Sequence, residues 1–246
     1  MSSYERFAEV YDELMTDIPY DEYVEWVSLN APSEQFPKVL DIGCGTGVLG
    51  MMLVSAGYEV SGLDLSEEML AVAADRFAQA NLSVPLYCMS MHELDGFEQM
   101  DVITIAIDSL NYVTEAADVL ETLKRAHAAL REGGQLFFDI HSLYKMNEIF
   151  LDGPFTYDDG ELTYVWHTEP GDFEHSVCHQ MTFFVQEKST GLFERFDEEH
   201  FQRTFAPEQY VAWLQAVGFS HVEVTADWAK NAPNDDSERI FIRAVK

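Results

Sequence analysis

Residues 39–50, Val39-Leu40-Asp41-Ile42-Gly43-Cys44-Gly45-Thr46-Gly47-Val48-Leu49-Gly50, decide how the rest of the chain is read. Val39, Leu40 and Ile42 form a buried-strand pattern that stops at Gly43, and glycines then recur at alternate positions, Gly43, Gly45 and Gly47. Glycine has no Cβ, so the backbone can turn sharply and approach a ligand closely. A nearly all-apolar helix is predicted next, with Val48, Leu49, Met51, Met52, Leu53 and Val54, and Gly57 stands where a C-terminal stop belongs. The start of such a helix offers free N–H groups to whatever the loop holds.

Two ligand classes use a loop of this kind. Gly45, Gly47 and Gly50 satisfy G-x-G-x-x-G, and Asp64 follows at about the ~20-residue spacing of a ribose-binding acid. A nicotinamide-dependent oxidoreductase is therefore one reading. Asp41 argues for another: a carboxylate ahead of the first glycine would repel a pyrophosphate and suits a cationic ammonium or sulfonium group. With Asp41-Ile42-Gly43-Cys44-Gly45-Thr46-Gly47 the chain resembles the class I S-adenosylmethionine-dependent methyltransferases, whose first motif is an acid followed by G-x-G-x-G. The resemblance implies an α/β, doubly wound, Rossmann-like sheet of seven strands with the last one antiparallel. It implies S-adenosylmethionine as cofactor, with contacts from Asp41, Gly43, Cys44, Gly45 and Gly47.

The chain has 246 residues, 47% of them hydrophobic and 13% aromatic. That is enough for a single large domain, with room for an inserted lobe. Against 44 acidic residues stand 14 basic ones, a formal charge of −30. Such a balance argues against unaided binding to a nucleic-acid backbone, which needs a basic face; it serves solubility, or attraction of a cationic small-molecule substrate. Cys44, Cys88 and Cys178 show no paired spacing and point to a reduced, cytoplasmic protein. The N-terminus carries Glu5, Glu9, Asp12 and Glu13 rather than a signal-peptide run. No stretch approaches the ~20 apolar residues of a membrane helix.

Tyr4, Phe7, Ala8, Tyr11, Leu14 and Met15 recur at helical spacing, and Tyr23, Val24 and Val27 suggest a second helix ending near Asn30. In the family resembled, such a leader, here residues 1–36, covers the cofactor. Tyr11 is then a candidate to lean on the sulfonium, since an aromatic face attracts cations, or it is part of the apolar stripe. Tyr58 to Leu63 reads as the second strand, ending at Asp64, and Ser66 is a good N-cap for a helix carrying Met69, Leu70, Val72, Ala73 and Phe77. The resemblance implies that Asp64 holds the ribose hydroxyls, with Leu65 and Met69 beside it. Val84 to Met89, the third strand, leads to Ser90 and Met91. The family commonly has an acid near Ser90 that accepts from the adenine amino group; a hydroxyl can accept that bond without charge assistance. Met91 is placed against the adenine face, although a buried methionine needs no ligand.

Residues 101–107, DVITIAI, read as a central parallel strand. It runs into Asp108-Ser109-Leu110-Asn111-Tyr112, beyond a strand's carboxyl end, where open α/β sheets bind ligands. Asp108 and Asn111 are candidates to meet methyl donor and acceptor, or plain turn residues. Thr114 is predicted to cap a helix with Val119, Leu120, Leu123, His127 and Leu130 on one face, stopped by Gly133 and Gly134. QLFFDI, residues 135–140, is the fifth strand. His141 at its end is a candidate base or substrate contact, or a turn cap. A short helix is predicted over 144–150.

The pattern changes over residues 151–205. Leu162, Tyr164 and Trp166 alternate with Thr163, Val165 and His167, strand character returns over 177–185 and 192–205, and Pro170-Gly171-Asp172 and Ser189-Thr190-Gly191 mark turns. This segment is expected to form an inserted antiparallel β lobe over the cleft. Its aromatic face, Tyr164 and Trp166 above all, would line an acceptor pocket, pack as the lobe's own core, or pair subunits in a homodimer. His175 and His179 would lie ~13 Å apart on a strand, too far to share a metal ion, so no metal site is expected. Pro207 opens a helix that Gly218 closes, and strands over 221–226 and 240–245 complete the sheet.

The expected activity is methyl transfer to a small molecule. A catalytically silent S-adenosylmethionine-binding protein and an RNA-modifying methyltransferase are the alternatives, and the net charge argues against the second. No catalytic constellation stands out. Displacement at a sulfonium methyl needs alignment and exclusion of water more than a dedicated acid or base.

Overall fold

The computed structural model describes residues 18–246. Tyr11 and the helix expected over 4–15 lie outside them. The first half runs α1 (Tyr20–Asn30), β1 (Lys38–Ile42), α2 (Val48–Ser55), β2 (Glu59–Asp64), α3 (Glu67–Gln79), β3 (Leu86–Cys88), β4 (Met100–Ile105), α4 (Ala116–Ala129) and β5 (Leu130–His141). Then come β6 (Phe155–Asp158), β7 (Leu162–Pro170), β8 (Ser176–Gln186), β9 (Phe193–Arg203), α5 (Pro207–Val217), β10 (His221–Ala226) and β11 (Arg239–Val245).

Seven strands form one sheet in the order β10-β11-β5-β4-β1-β2-β3, parallel except for β11, which runs antiparallel to both neighbours. The chain winds from β1 outward to β3, returns to β4 on the other side of β1, and so opens a crevice between the carboxyl ends of β1 and β4. Side chains alternate across the sheet. Leu40, Ile42, Ile103, Ile105 and Phe138 face Val119 and Leu123 of α4 and Tyr210 and Leu214 of α5. Val39, Val102, Phe137 and Phe241 face Tyr23, Trp26 and Val27 of α1 and Leu49 and Leu53 of α2. Trp26 meets the rings of Phe137 and Phe241 edge-on at 5.0 and 5.4 Å.

β6 to β9 make a separate four-stranded antiparallel sheet in sequence order. Leu162, Tyr164 and Trp166 share one face with Phe183, Met181 and Val185. Tyr164 packs with Leu162, Phe183 and Phe196, and Trp166 packs on Phe150. Both rings therefore serve first as packing for the lobe and its root.

Several local expectations are corrected. Thr114 does not cap α4: Glu115 is the cap residue, without a side-chain bond, and the Thr114 carbonyl accepts from Arg203. Gly133 and Gly134 do not stop a helix. They lie in a bulge of β5, where the register with β4 jumps from Met100–Leu130 to Val102–Gln135. By contrast, the short helix expected over 144–150 does form, wide-turned over Lys145–Ile149 and continuing into a tighter turn. The Ser66 hydroxyl accepts from the Met69 N–H at 3.1 Å, the N-cap bond its sequence position suggests. Among the described residues no helix is long and apolar enough to cross a membrane.

Candidate active site

The site grows from the end of β1. Gly43 and Gly45 both have left-handed backbones, φ +69° and +52°, for different reasons. A Cβ on Gly43 would lie 2.7 Å from Ser109 Cβ, so the turn after β4 packs directly on the loop. A Cβ on Gly45 would meet nothing within 4 Å, so this peptide faces open space. Gly43, Cys44, Gly45 and Thr46 line a pocket with Asp41, Tyr20 of α1, Leu49 of α2, and Ala106, Ile107 and Ser109 beyond β4.

Asp41 is buried, and its register partner on β4 is Thr104, whose hydroxyl donates to Oδ1 at 2.7 Å. Oδ2 has no hydrogen-bond partner among the described residues. Burial pushes this carboxyl up to about 7, against the Thr104 bond and with help from the charge of Asp64. Asp64, at the end of β2, accepts from the Gly45 N–H at 2.8 Å and the Ser66 N–H at 2.9 Å. Burial raises its pKa, and those amides oppose the rise. A carboxylate has about four acceptor positions, so Asp64 keeps capacity for a diol.

Around this centre the other expected contacts are dispersed. Met91 Cε lies 3.9 Å from the place a Gly43 Cβ would occupy. The Ser90 hydroxyl pairs with His92 Nδ1 at 2.8 Å. Leu65 is exposed at the rim, and Met69 packs against the lobe. Gly47 is turned onto Phe77, and Cys44 packs on Gly62, with its thiol pKa raised by burial.

Asp108, Asn111 and His141 sit deeper. The Asn111 amide donates to Arg203 O at 2.8 Å and accepts from the His141 N–H at 2.9 Å, and so staples β9 to β5. His141 Nε2 lies 3.3 Å from Asp108 Oδ2, and its ring meets Phe150 edge-on at 4.9 Å. Burial holds the His141 pKa below the usual range, against the pull of Asp108. Arg239, the first residue of β11, bonds Asp108 at 2.8 Å and Asp139 of β5 as well. Burial works against an ionised Asp108, but His141 and Arg239 outweigh it and hold its pKa well below the usual carboxylate range.

A chain of bonds ties this cluster to the lobe. The Trp166 indole N–H donates to His179 Nδ1 at 3.0 Å, which leaves the proton on Nε2 for Gln202 Oε1 at 3.1 Å. The Gln202 amide then donates to Asp108 Oδ2 at 2.9 Å. Burial pushes the His179 pKa down to about 4, in keeping with a neutral ring.

The sequence reading missed Thr104, Ser109, Asp139, Gln202 and Arg239. An acid directly after the apolar run Leu136-Phe137-Phe138 was the available signal for Asp139.

The loop suits the cofactor its motif suggests: an open peptide at Gly45, a buried carboxylate oxygen without a partner at Asp41, and an acid with spare acceptor positions at Asp64. A family profile described as a methyltransferase domain matches residues 39–134. A protein of Geobacillus sp. (strain WCH70), provisionally named a methyltransferase, is 43% identical over 99% of this chain and 100% of its own length. The crystal structure of an S-adenosylmethionine-dependent methyltransferase from Clostridium acetobutylicum ATCC 824 superposes with a TM-score of 0.88 at 29% identity, covering 99% of each chain. A sugar N-methyltransferase from Streptoalloteichus sp. shares the fold, with a TM-score of 0.74 at 20% identity over 96% of this chain and 92% of its own. From loop, sheet order and relatives together, the chain belongs to the class I S-adenosylmethionine-dependent methyltransferases.

Proposed function

We propose that the protein methylates the nitrogen of a small amine held beneath the β lobe, in the reduced cytoplasm, with Asp41, the glycine loop and Asp64 holding the cofactor. The observation that supports the acceptor is the way β9 is pinned. Phe196 packs with Met69 of α3, and Gln202 bonds Asp108. Glu198 and His200 lie between these points on the same face of the strand, opposite Met181 and His179. Both are buried, and the His200 ring meets Tyr112, in the turn after β4, edge-on at 5.9 Å.

A carboxylate and an imidazole on one buried face can bind an ammonium and take its proton. Burial lowers the His200 pKa, which keeps the ring neutral near pH 7 and makes it a weak base, able to take only in passing the proton that an amine must lose before its lone pair attacks. The bound cofactor supplies an activated methyl and a thioether leaving group. The residues align the acceptor and exclude water. The acidic surface, with a formal charge of −30, favours the arrival of a cation.

The test is S-adenosylhomocysteine release with primary and secondary amines and with their hydroxyl counterparts. Turnover is expected with amines, and Glu198→Gln is expected to raise the amine KM at least tenfold while leaving S-adenosylhomocysteine affinity within twofold. Turnover confined to hydroxyl compounds, or an unchanged KM in the variant, refutes the amine reading. Leu192 and Phe193, 69% and 48% exposed at the far turn of the lobe, favour a second role in pairing subunits. A monomer by light scattering refutes that role.

A further inference from the structure

Beyond β4 the chain places two successive non-glycine residues in the left-handed region, Ile107 and Asp108, each with φ +52°. An aspartate adopts this conformation at times, but a β-branched residue does so only as an outlier. Such a conformation persists when its surroundings over-determine it, and it concentrates at functional sites.

The surroundings are specific. Asp139, wholly buried on β5, accepts the Ile107 N–H at 2.7 Å through Oδ1 and the Asp108 N–H at 3.0 Å through Oδ2. Arg239 then bonds Asp139 and the Asp108 side chain together. One carboxylate fixes both strained peptides, and one guanidinium fixes that carboxylate relative to the turn. Burial raises the Asp139 pKa, Arg239 opposes the rise, and Asp108 adds to it. A glycine at the turn would need no such buried ions, which are costly to assemble.

The turn held this way forms part of the pocket wall. Ala106, Ile107 and Ser109 line the cofactor pocket opposite the glycine loop. Ser109 donates to Ala106 O at 2.7 Å and to Gly43 O at 3.3 Å, and its Cβ fills the space beside Gly43. The shape of residues 106–109 is therefore passed directly to Gly43.

We propose that Asp139 and Arg239 are positioning residues for methyl transfer: they hold Ile107 and Asp108 left-handed, so that Ser109 seats against Gly43 and the cofactor pocket keeps its form. The inference rests on the cofactor class and not on the identity of the acceptor.

Asp139→Asn is the first test, because an amide can accept one of the two N–H groups but presents its own NH2 to the other. The expected result is at least a tenfold loss of S-adenosylhomocysteine affinity by calorimetric titration. Exchange of the Ile107 and Asp108 amides should quicken at least tenfold by NMR, with the amides of β1 unaffected. The readout that a merely structural role would not move is a double-mutant cycle with Ile107→Gly. Glycine takes a positive φ without strain, so Asp139→Asn should cost less than threefold in that background. Should Asp139→Asn fail to fold, Arg239→Lys replaces it in the same cycle, since a lysine keeps the charge but cannot bridge both carboxylates as a planar fork does. Affinity within twofold of the parent overturns the proposal. So does an equal loss in both backgrounds, or failure of both variants to fold.

Discussion

Asp41 makes a quantitative prediction about proton release. Its carboxyl is buried, has Thr104 as its hydrogen-bond partner, and is pushed up to about 7. The unfolded chain would titrate it at its ordinary value, 3.8. The folded state thus binds this proton more tightly, so the stabilisation from the neutral form is complete below 3.8 and is lost as pH rises through about 7. At about 1.4 kcal/mol per pKa unit, the ionised form carries a cost on the order of 4 kcal/mol. A cation in the pocket offsets that cost and drives ionisation, so S-adenosylmethionine should bind with proton release. At pH 7 roughly half a proton should leave per site, nearly one at pH 5.5 and almost none at pH 8.5. Calorimetric titration in buffers of different ionisation enthalpy measures this number directly. Affinity should fall about tenfold per pH unit below pH 6 and level off above pH 8. Asp41→Asn should bind more weakly and lose most of the proton release. Wild-type protein that releases no proton at pH 6, or an Asp41→Asn variant with undiminished release, refutes the reasoning.

Asp64→Ala should weaken S-adenosylhomocysteine binding by ~1.5–3 kcal/mol, the worth of charge-assisted hydrogen bonds, read by the same titration. Gly45→Val should abolish that binding; the left-handed backbone at this position, φ +52°, costs about 1–2 kcal/mol of stability, but the side chain enters open space rather than packed core, so the protein should still fold by circular dichroism. Gly43→Ala should destabilise the fold by about 1–2 kcal/mol for its left-handed backbone and a further ~1–3 kcal/mol for the overlap with Ser109. Ser109→Gly in the same chain should return the second part, as thermal denaturation of the pair will report.

The parts of the site carried by short-range spacing were legible in the sequence. The glycine loop, the acid after β2 and the Ser66 cap each depend on residues within one strand–turn–helix unit, and each lies where the pattern puts it. Asp108, Asn111 and His141 were legible as residents of strand ends. Their partners were not: Arg239 meets Asp139 across 100 residues and Asp108 across 131, and no local pattern announces either meeting. The partners of Asn111, the backbone groups of Arg203 and His141, likewise arrive from distant parts of the chain. Gly133 and Gly134 misled because a bulge and a helix stop make the same demand for glycine, and only the register between β4 and β5 separates them. Tyr164 and Trp166 were seen to share a face, but which groups that face meets depends on how the lobe folds back.

Because β9 is pinned through Phe196 to α3 and through Gln202 to Asp108, its register survives exchange of the residues between. A slip of one position would turn Gln202 away from Asp108 and send every side chain to the opposite face, which both anchors resist. On the amine reading proposed above, positions 198 and 200, with 181 opposite, would be an interchangeable cartridge set beside a fixed methyl-donor half. A lineage could drift from one acceptor to another by a few substitutions in a single strand pair, without rebuilding the lobe. Libraries confined to those positions should stay folded at high frequency and diverge chiefly in what they methylate.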